Sequence, residues 1–150
     1  MLFRSVLGRL YLPESRYNNQ AVSLALRQAF GENLWAEVVA KDVAKLETPL
    51  VVIDGIRRLA DLEPFKTNPN FTFVYLKTDL EKRFERITRR GENADDTGKT
   101  WEQFQSDQKL EAELEITKLE PLARVVIDNN GTLEELHTTL DQLVTGKLLQ

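Results

Sequence analysis

The chain has 150 residues, 41% of them hydrophobic and 29% charged, with a formal net charge of −4 and no cysteine. That size and balance describe one ordinary globular domain able to bury a core. The lack of cysteine excludes disulfides and thiolate sites, a single histidine (His137) cannot build a zinc site, and the acidic balance runs against nucleic-acid binding.

No linker, repeat or low-complexity tract interrupts the sequence, so residues 1–150 read as a single domain. Met1 to Leu10 reads as a helix with Phe3, Val6, Leu7 and Leu10 on one face, broken by Leu12-Pro13-Glu14-Ser15. A second helix runs from about Asn18 to Phe30, where Gly31 is a natural C′ residue. A third runs from about Asn33 to Leu46 on Leu34, Trp35, Val38 and Val39. Leu50-Val51-Val52-Ile53 follows Pro49 and is short, apolar and β-branched, which reads as a strand buried on both faces. A helix is expected from about Arg57 to Phe65, then a strand over 71–76.

Asp79 starts a helix to Arg90 that buries Leu80, Phe84 and Ile87. A polar loop, Gly91 to Lys99, leads to Thr100 and Gln103. Those two form a capping-box pattern for a long charged helix to about Leu119. Arg124 to Ile127 reads as the last strand. Thr132 with Glu135 caps a final helix on Leu133, Leu136, Leu140 and Leu143. Strands separated by helices imply a parallel sheet, so the expected class is α/β with three strands and helices on both faces. Three short strands are few for such a sheet, which looks incomplete.

Ligand crevices in parallel sheets lie beyond the carboxyl ends of the strands. Asp54-Gly55-x-Arg57-Arg58 would stand there. A carboxylate at a strand end can hold Mg²⁺ through water, Gly55 lets backbone approach a phosphate, and arginine forks grip phosphate oxygens. The plainer reading is a turn with solvated arginines. Arg83, Arg86 and Arg90 share one helix face opposite the apolar stripe, flanked by Arg89. They are either a solvated face or the charge that a lid brings to a transferring phosphoryl group. Asp128-Asn129-Asn130-Gly131 follows the last strand; it is either a base-reading loop or an Asn/Gly turn. Gly98-Lys99-Thr100 fails the Walker A spacing and follows a helix instead of a strand, so no phosphate cradle is expected there. His137 and the run Glu111, Glu113, Glu115 read as solvated.

Taken together these segments resemble the nucleoside-monophosphate-kinase group of P-loop phosphotransferases. Val52-Ile53-Asp54-Gly55-Ile56-Arg57 is similar to the Asp-Gly-Phe-Pro-Arg strand end of adenylate kinases, with Ile56 in place of Phe-Pro. Val125 to Leu136 resembles the closing strand, loop and helix of dephospho-CoA kinases. Leu12-Pro13-Glu14-Ser15-Arg16 and Leu26-Arg27-Gln28-Ala29-Phe30-Gly31 resemble acceptor-binding helices of deoxynucleotide kinases in that group. Arg86-x-x-Arg89-Arg90 and its loop resemble the lid.

The resemblance implies a three-layer P-loop kinase-like fold. Residues 1–46 would be the acceptor-binding part and 83–100 the lid-like part. Asp54 would organise Mg²⁺, and Arg16, Arg27, Gly55 and Arg57 would hold the acceptor's phosphate. Arg86, Arg89 and Arg90 would close on the group transferred from ATP, and Asn129 and Gly131 would border the base. The acceptor would be a nucleotide or dephospho-CoA type small molecule.

The family opens with a strand, the Gly-x-x-x-x-Gly-Lys-Ser/Thr loop and a second strand, and none of the 150 residues supplies that loop. The expectation is a chain inactive alone. The alternatives are a non-catalytic nucleotide-binding or regulatory module and a scaffold that pairs, for example as a homodimer, through the open sheet edge. With no apolar stretch near the ~20 residues of a membrane span, no membrane partner and a cytoplasmic setting are expected.

Overall fold

The computed structural model describes residues 2–90, 98–109 and 115–148. The expected loop over 91–97, and Glu111 and Glu113 of the expected long helix, lie outside the described residues. The chain divides into two compact units. One is Met1–Leu46 with Ala60–Thr67, the other Glu47–Leu59 with Asn68–Gln150.

The first unit is helical, with α1 (Leu2–Arg9), α2 (Arg16–Phe30), α3 (Leu34–Val43) and most of the short α4 (Leu59–Leu62). Tyr11 ends α1 in the left-handed region at φ 56°. Leu12 N–H then reaches back to Leu7 C=O at 3.0 Å and Tyr11 N–H to Gly8 C=O at 3.2 Å, satisfying carbonyls the helix leaves open. Ser15 caps α2 by accepting Asn18 N–H at 3.1 Å. Gly31, at φ 107°, closes it with its N–H on Arg27 C=O at 2.8 Å. The helix expected over 57–65 shrinks to α4 followed by the 3-10 turn Glu63–Phe65, because Pro64 has no N–H to continue an α ladder. Leu7, Ala36, Leu62 and Phe65 are the buried apolar residues of this unit.

The second unit holds the sheet. β1 (Val74–Lys77) pairs in parallel with β2 (Val125–Asp128), Val74 opposite Val125 and Lys77 opposite Asp128. The helices are α5 (Leu80–Arg90), α6 (Trp101–Asp107) and α7 (Leu133–Leu143), and a π-helical turn, Val144–Leu148, extends α7. Both expected capping boxes form. Thr100 Oγ1 accepts Gln103 N–H while Gln103 accepts Thr100 N–H, and Thr132 and Glu135 reciprocate in the same way. The long helix expected to Leu119 ends instead at Asp107 among the residues described on its N-terminal side. Helical turns resume at 115–117, and Pro121 then opens the 3-10 turn Glu120–Leu122. Phe84, Trp101 and Phe104 join α5 to α6, with ring centroids 5.2 to 5.9 Å apart. Phe104, Leu119, Ile127 and Leu143 are buried.

The architecture is mixed α and β with a parallel sheet, but among the described residues the sheet has two strands, not the three expected. Leu50–Ile53 forms no strand, and Val52 is 82% exposed. A strand is stable only through its neighbour's ladder, and among the described residues this segment pairs with none, although Val51 and Ile53 are half-buried. Nor are both sheet faces sealed by helices, since Leu76 and Val126 stand about half-exposed on opposite faces. Among the described residues no helix is long and apolar enough to cross a membrane.

Candidate functional site

The best-organised corner is the carboxyl edge of the sheet. Lys77 and Asp128 are the last paired residues of β1 and β2. The chain then turns through Asn129, Asn130 and Gly131 into α7. Asn129 N–H donates to Lys77 C=O at 2.8 Å, extending the ladder by one bond. Asn130 N–H donates to the Asp128 carboxylate at 2.8 Å, an Asx turn. Asn130 Oδ1 accepts the Asp79 N–H at 2.8 Å, which ties the loop to the start of α5. Gly131 has a local reason: a Cβ there would lie 2.2 Å from Glu135 Oε2, the carboxylate that accepts Thr132 N–H in the cap.

Arg86 completes this corner. Its Nη1 donates to Asn129 C=O at 2.7 Å and its Nη2 to Gly131 C=O at 2.9 Å. Three residues singled out from the sequence, Arg86, Asn129 and Gly131, are thus brought together. Arg89 and Arg90 lie exposed at the end of α5, and Arg89 stands 3.6 Å from Glu85. Glu85 also accepts Lys82 Nζ at 3.0 Å. That hydrogen bond, followed by the charges of Lys82, Arg89 and Arg86, holds its carboxyl below the ordinary range. On the opposite strand end, Lys77 Nζ donates to Glu120 at 2.7 Å, and this bond raises the ammonium's pKa.

The Asp54 corner is looser. Asp54, Gly55 and Arg57 are exposed. Gly55 adopts φ 91°, a left-handed conformation that favours glycine, with open space where a Cβ would project. Among the described residues no group of three His, Cys, Asp or Glu could cage a metal. A lone exposed carboxylate suits only an ion that keeps water and phosphate oxygens as its other ligands, as Mg²⁺ does.

In the first unit Arg16 opens α2, its side chain lying outside the described residues. Arg27 stands 3.8 Å from Asp61, each side chain 14% exposed, and its buried Nε finds no hydrogen-bond partner. No local pattern foretold Asp61 as that partner. The Gly98-Lys99-Thr100 segment does structural duty, with Lys99 Nζ on Asp107 Oδ2 at 2.8 Å and Thr100 capping α6. His137 is exposed on α7. Sequence reading placed Arg83 on the arginine face but missed its contact with Phe104: the guanidinium lies 6.0 Å from the ring centre. The i, i+3 spacing of Trp101 and Phe104 was the available signal for an aromatic face there.

Comparison with known proteins yields no matching family model and no matching solved structure. Curated relatives do match over most of the chain. A UPF0200 protein of Thermococcus kodakarensis is 32% identical over 135 residues, taking in 87% of this chain and 72% of the relative. A UPF0200 protein of Thermococcus gammatolerans is also 32% identical, over 87% of this chain and 70% of its own length. One of Hyperthermus butylicus is 29% identical over 85% and 68%. Identity and coverage at this level place the relationship beyond a shared motif: the chain belongs to the UPF0200 family.

Proposed function

We propose that this chain carries the base side and part of the acceptor side of a nucleotide-kinase-like phosphotransferase, with ATP as donor and a nucleotide or dephospho-CoA type acceptor. One observation carries the reading: the Asp128–Gly131 loop, at the carboxyl edge of a parallel strand pair, is fixed by Arg86 and by the start of α5. That edge is where α/β sheets bind ligands. Asn129 and Gly131 would border the base. Asp54 would hold a hydrated Mg²⁺, which neutralises phosphate charge when bound, while Arg57 meets an acceptor phosphate. Arg89 and Arg90, exposed at the end of α5, would approach the transferred group. Arg16 and Arg27 are acceptor-side residues by resemblance alone, and Arg27 would have to exchange Asp61 for a ligand.

Phosphoryl transfer relies on positioning and on charge stabilisation, much of it supplied by a glycine-rich loop. None of the seven glycines here stands in such a loop. The 150 residues by themselves should therefore bind Mg-ATP weakly and transfer no phosphate. The test is calorimetric titration with Mg-ATP, plus a phosphotransfer assay against deoxynucleotides, AMP and dephospho-CoA, run beside the longer Thermococcus kodakarensis relative. Transfer by the relative and not by this chain supports the reading; transfer by neither removes it. Micromolar ATP affinity in this chain would show that the missing loop is dispensable.

The open outer edge of β1 supports a second reading, a scaffold or homodimer that pairs through that edge. Sedimentation equilibrium decides it: a monomer at all concentrations removes it.

A further inference from the structure

Several polar groups of the Asp128–Gly131 corner have partners among the described residues. Asn129 N–H donates to a backbone carbonyl, and the Asn129 and Gly131 carbonyls both accept from the Arg86 guanidinium. The Asp128 carboxylate and the Asn130 amide oxygen are each spent on a backbone N–H. The Asn129 side-chain amide, half-buried, makes no hydrogen bond among the described residues. Its donor and its acceptor are both left to meet something else. An amide presents a donor and an acceptor side by side, which complements the paired donor and acceptor on a nucleobase edge.

Arg86 is committed to the loop. Of its five N–H donors, one on each terminal nitrogen already points at a carbonyl, at 2.7 and 2.9 Å. A fork-like grip on phosphate would use that same pair of nitrogens. The two carbonyls flank Asn130 and bracket the turn, so the guanidinium sets the distance between its two ends. A planar fork does this better than the single ammonium of lysine.

We infer that Arg86 is a positioning residue. It holds the Asp128–Gly131 loop in the form that aims the Asn129 amide at a nucleobase, and it does not act on the phosphoryl group. This rests on the nucleotide reading above for the identity of the ligand, but not for the clamp itself.

Two measurements on the 150-residue chain separate the parts. The first is amide hydrogen exchange in wild type, Arg86→Ala and Arg86→Lys. The expected result is exchange about 10–100-fold faster at Asn129 in the alanine variant, partial recovery with lysine, and unchanged exchange in the α6 core around Phe104. Unchanged exchange at Asn129 in Arg86→Ala overturns the inference. The second is a titration with adenosine, guanosine and inorganic triphosphate, followed by the amide signals of residues 128–131. Loss of discrimination between the two nucleosides in both Arg86→Ala and Asn129→Ala, with triphosphate binding unchanged, supports positioning. Loss of triphosphate binding with nucleoside binding intact overturns it in favour of a phosphate role. If wild type responds to neither nucleoside, the base-binding reading falls, and the exchange result alone decides whether Arg86 holds the loop.

Discussion

The tetrapeptide Val-Val-Ile-Asp occurs twice in this chain, at 51–54 and at 125–128. The second copy is β2. Its Ile127 is 4% exposed, and its aspartate leads into a loop held from three directions. The first copy lies in the same compact unit, forms no strand, and leaves Val52 82% exposed. Identical side chains with identical β propensity reach opposite ends, so propensity does not decide. The partner does: 125–128 finds the ladder of β1, and 51–54 finds none. A buried parallel strand is a property of two segments at once.

Substitutions in the two copies press hardest on this contrast. Ile127→Ala removes a buried side chain from beneath the sheet and should cost about 2–4 kcal/mol. Val52→Ala should stay within about 0.5 kcal/mol. Denaturant midpoints at constant slope measure both, and equal losses would mean that 51–54 is packed after all. Amide exchange reads the same difference without mutation. The ladder amides of 125–128 should exchange at least about 100-fold more slowly than those of 51–54; equal rates would dissolve the contrast.

The cap that follows β2 has no counterpart after Asp54. Thr132→Ala should therefore cost about 1 kcal/mol, with Thr132→Ser close to neutral, as followed by thermal unfolding.

The smallest effect lies in two charged side chains, Lys77 on β1 and Glu85 on α5. Lys77 titrates above its ordinary 10.5 because of Glu120. Its contribution is complete below that value and is lost as pH rises through the raised folded value. Glu85 titrates below 4.5 because of Lys82. Its contribution is present above that value and fades as pH falls through the depressed one. Both groups are solvated, so the slopes should be shallow and flatten in salt. Glu120→Gln should remove the alkaline slope and leave the acid one, as a comparison of unfolding midpoints across pH would show.

Locally written features were legible before the structure. The capping boxes at Thr100 and Thr132 involve residues three apart, and Gly31 closes α2 by its own left-handed backbone. Features that depend on a distant segment were not. The Leu50–Ile53 run carried every local sign of a strand and lacked only a neighbour. Arg27 read as a phosphate ligand, but its near neighbour is Asp61, which no spacing rule connects to it. Arg86 and the Asp128–Gly131 loop were each legible as candidates. Their mutual hydrogen bonds were not, because a sequence does not say which carbonyl a guanidinium will find.

The register of the two strands also sets a timetable. Val74 meets Val125 across about fifty intervening positions, so this ladder joins segments made at different times. Closing so long a loop costs entropy before any bond repays it, and such distant pairings fold slowly. During synthesis β1 emerges first and must wait, with both edges unpaired, until β2 follows. An unpaired apolar strand is the feature that nascent chains least tolerate. In that interval β1 is followed by the polar and charged α5 and ends in a lysine, features that discourage edge pairing. The time taken to translate residues 78–124 is thus the least time for which β1 stands without its partner.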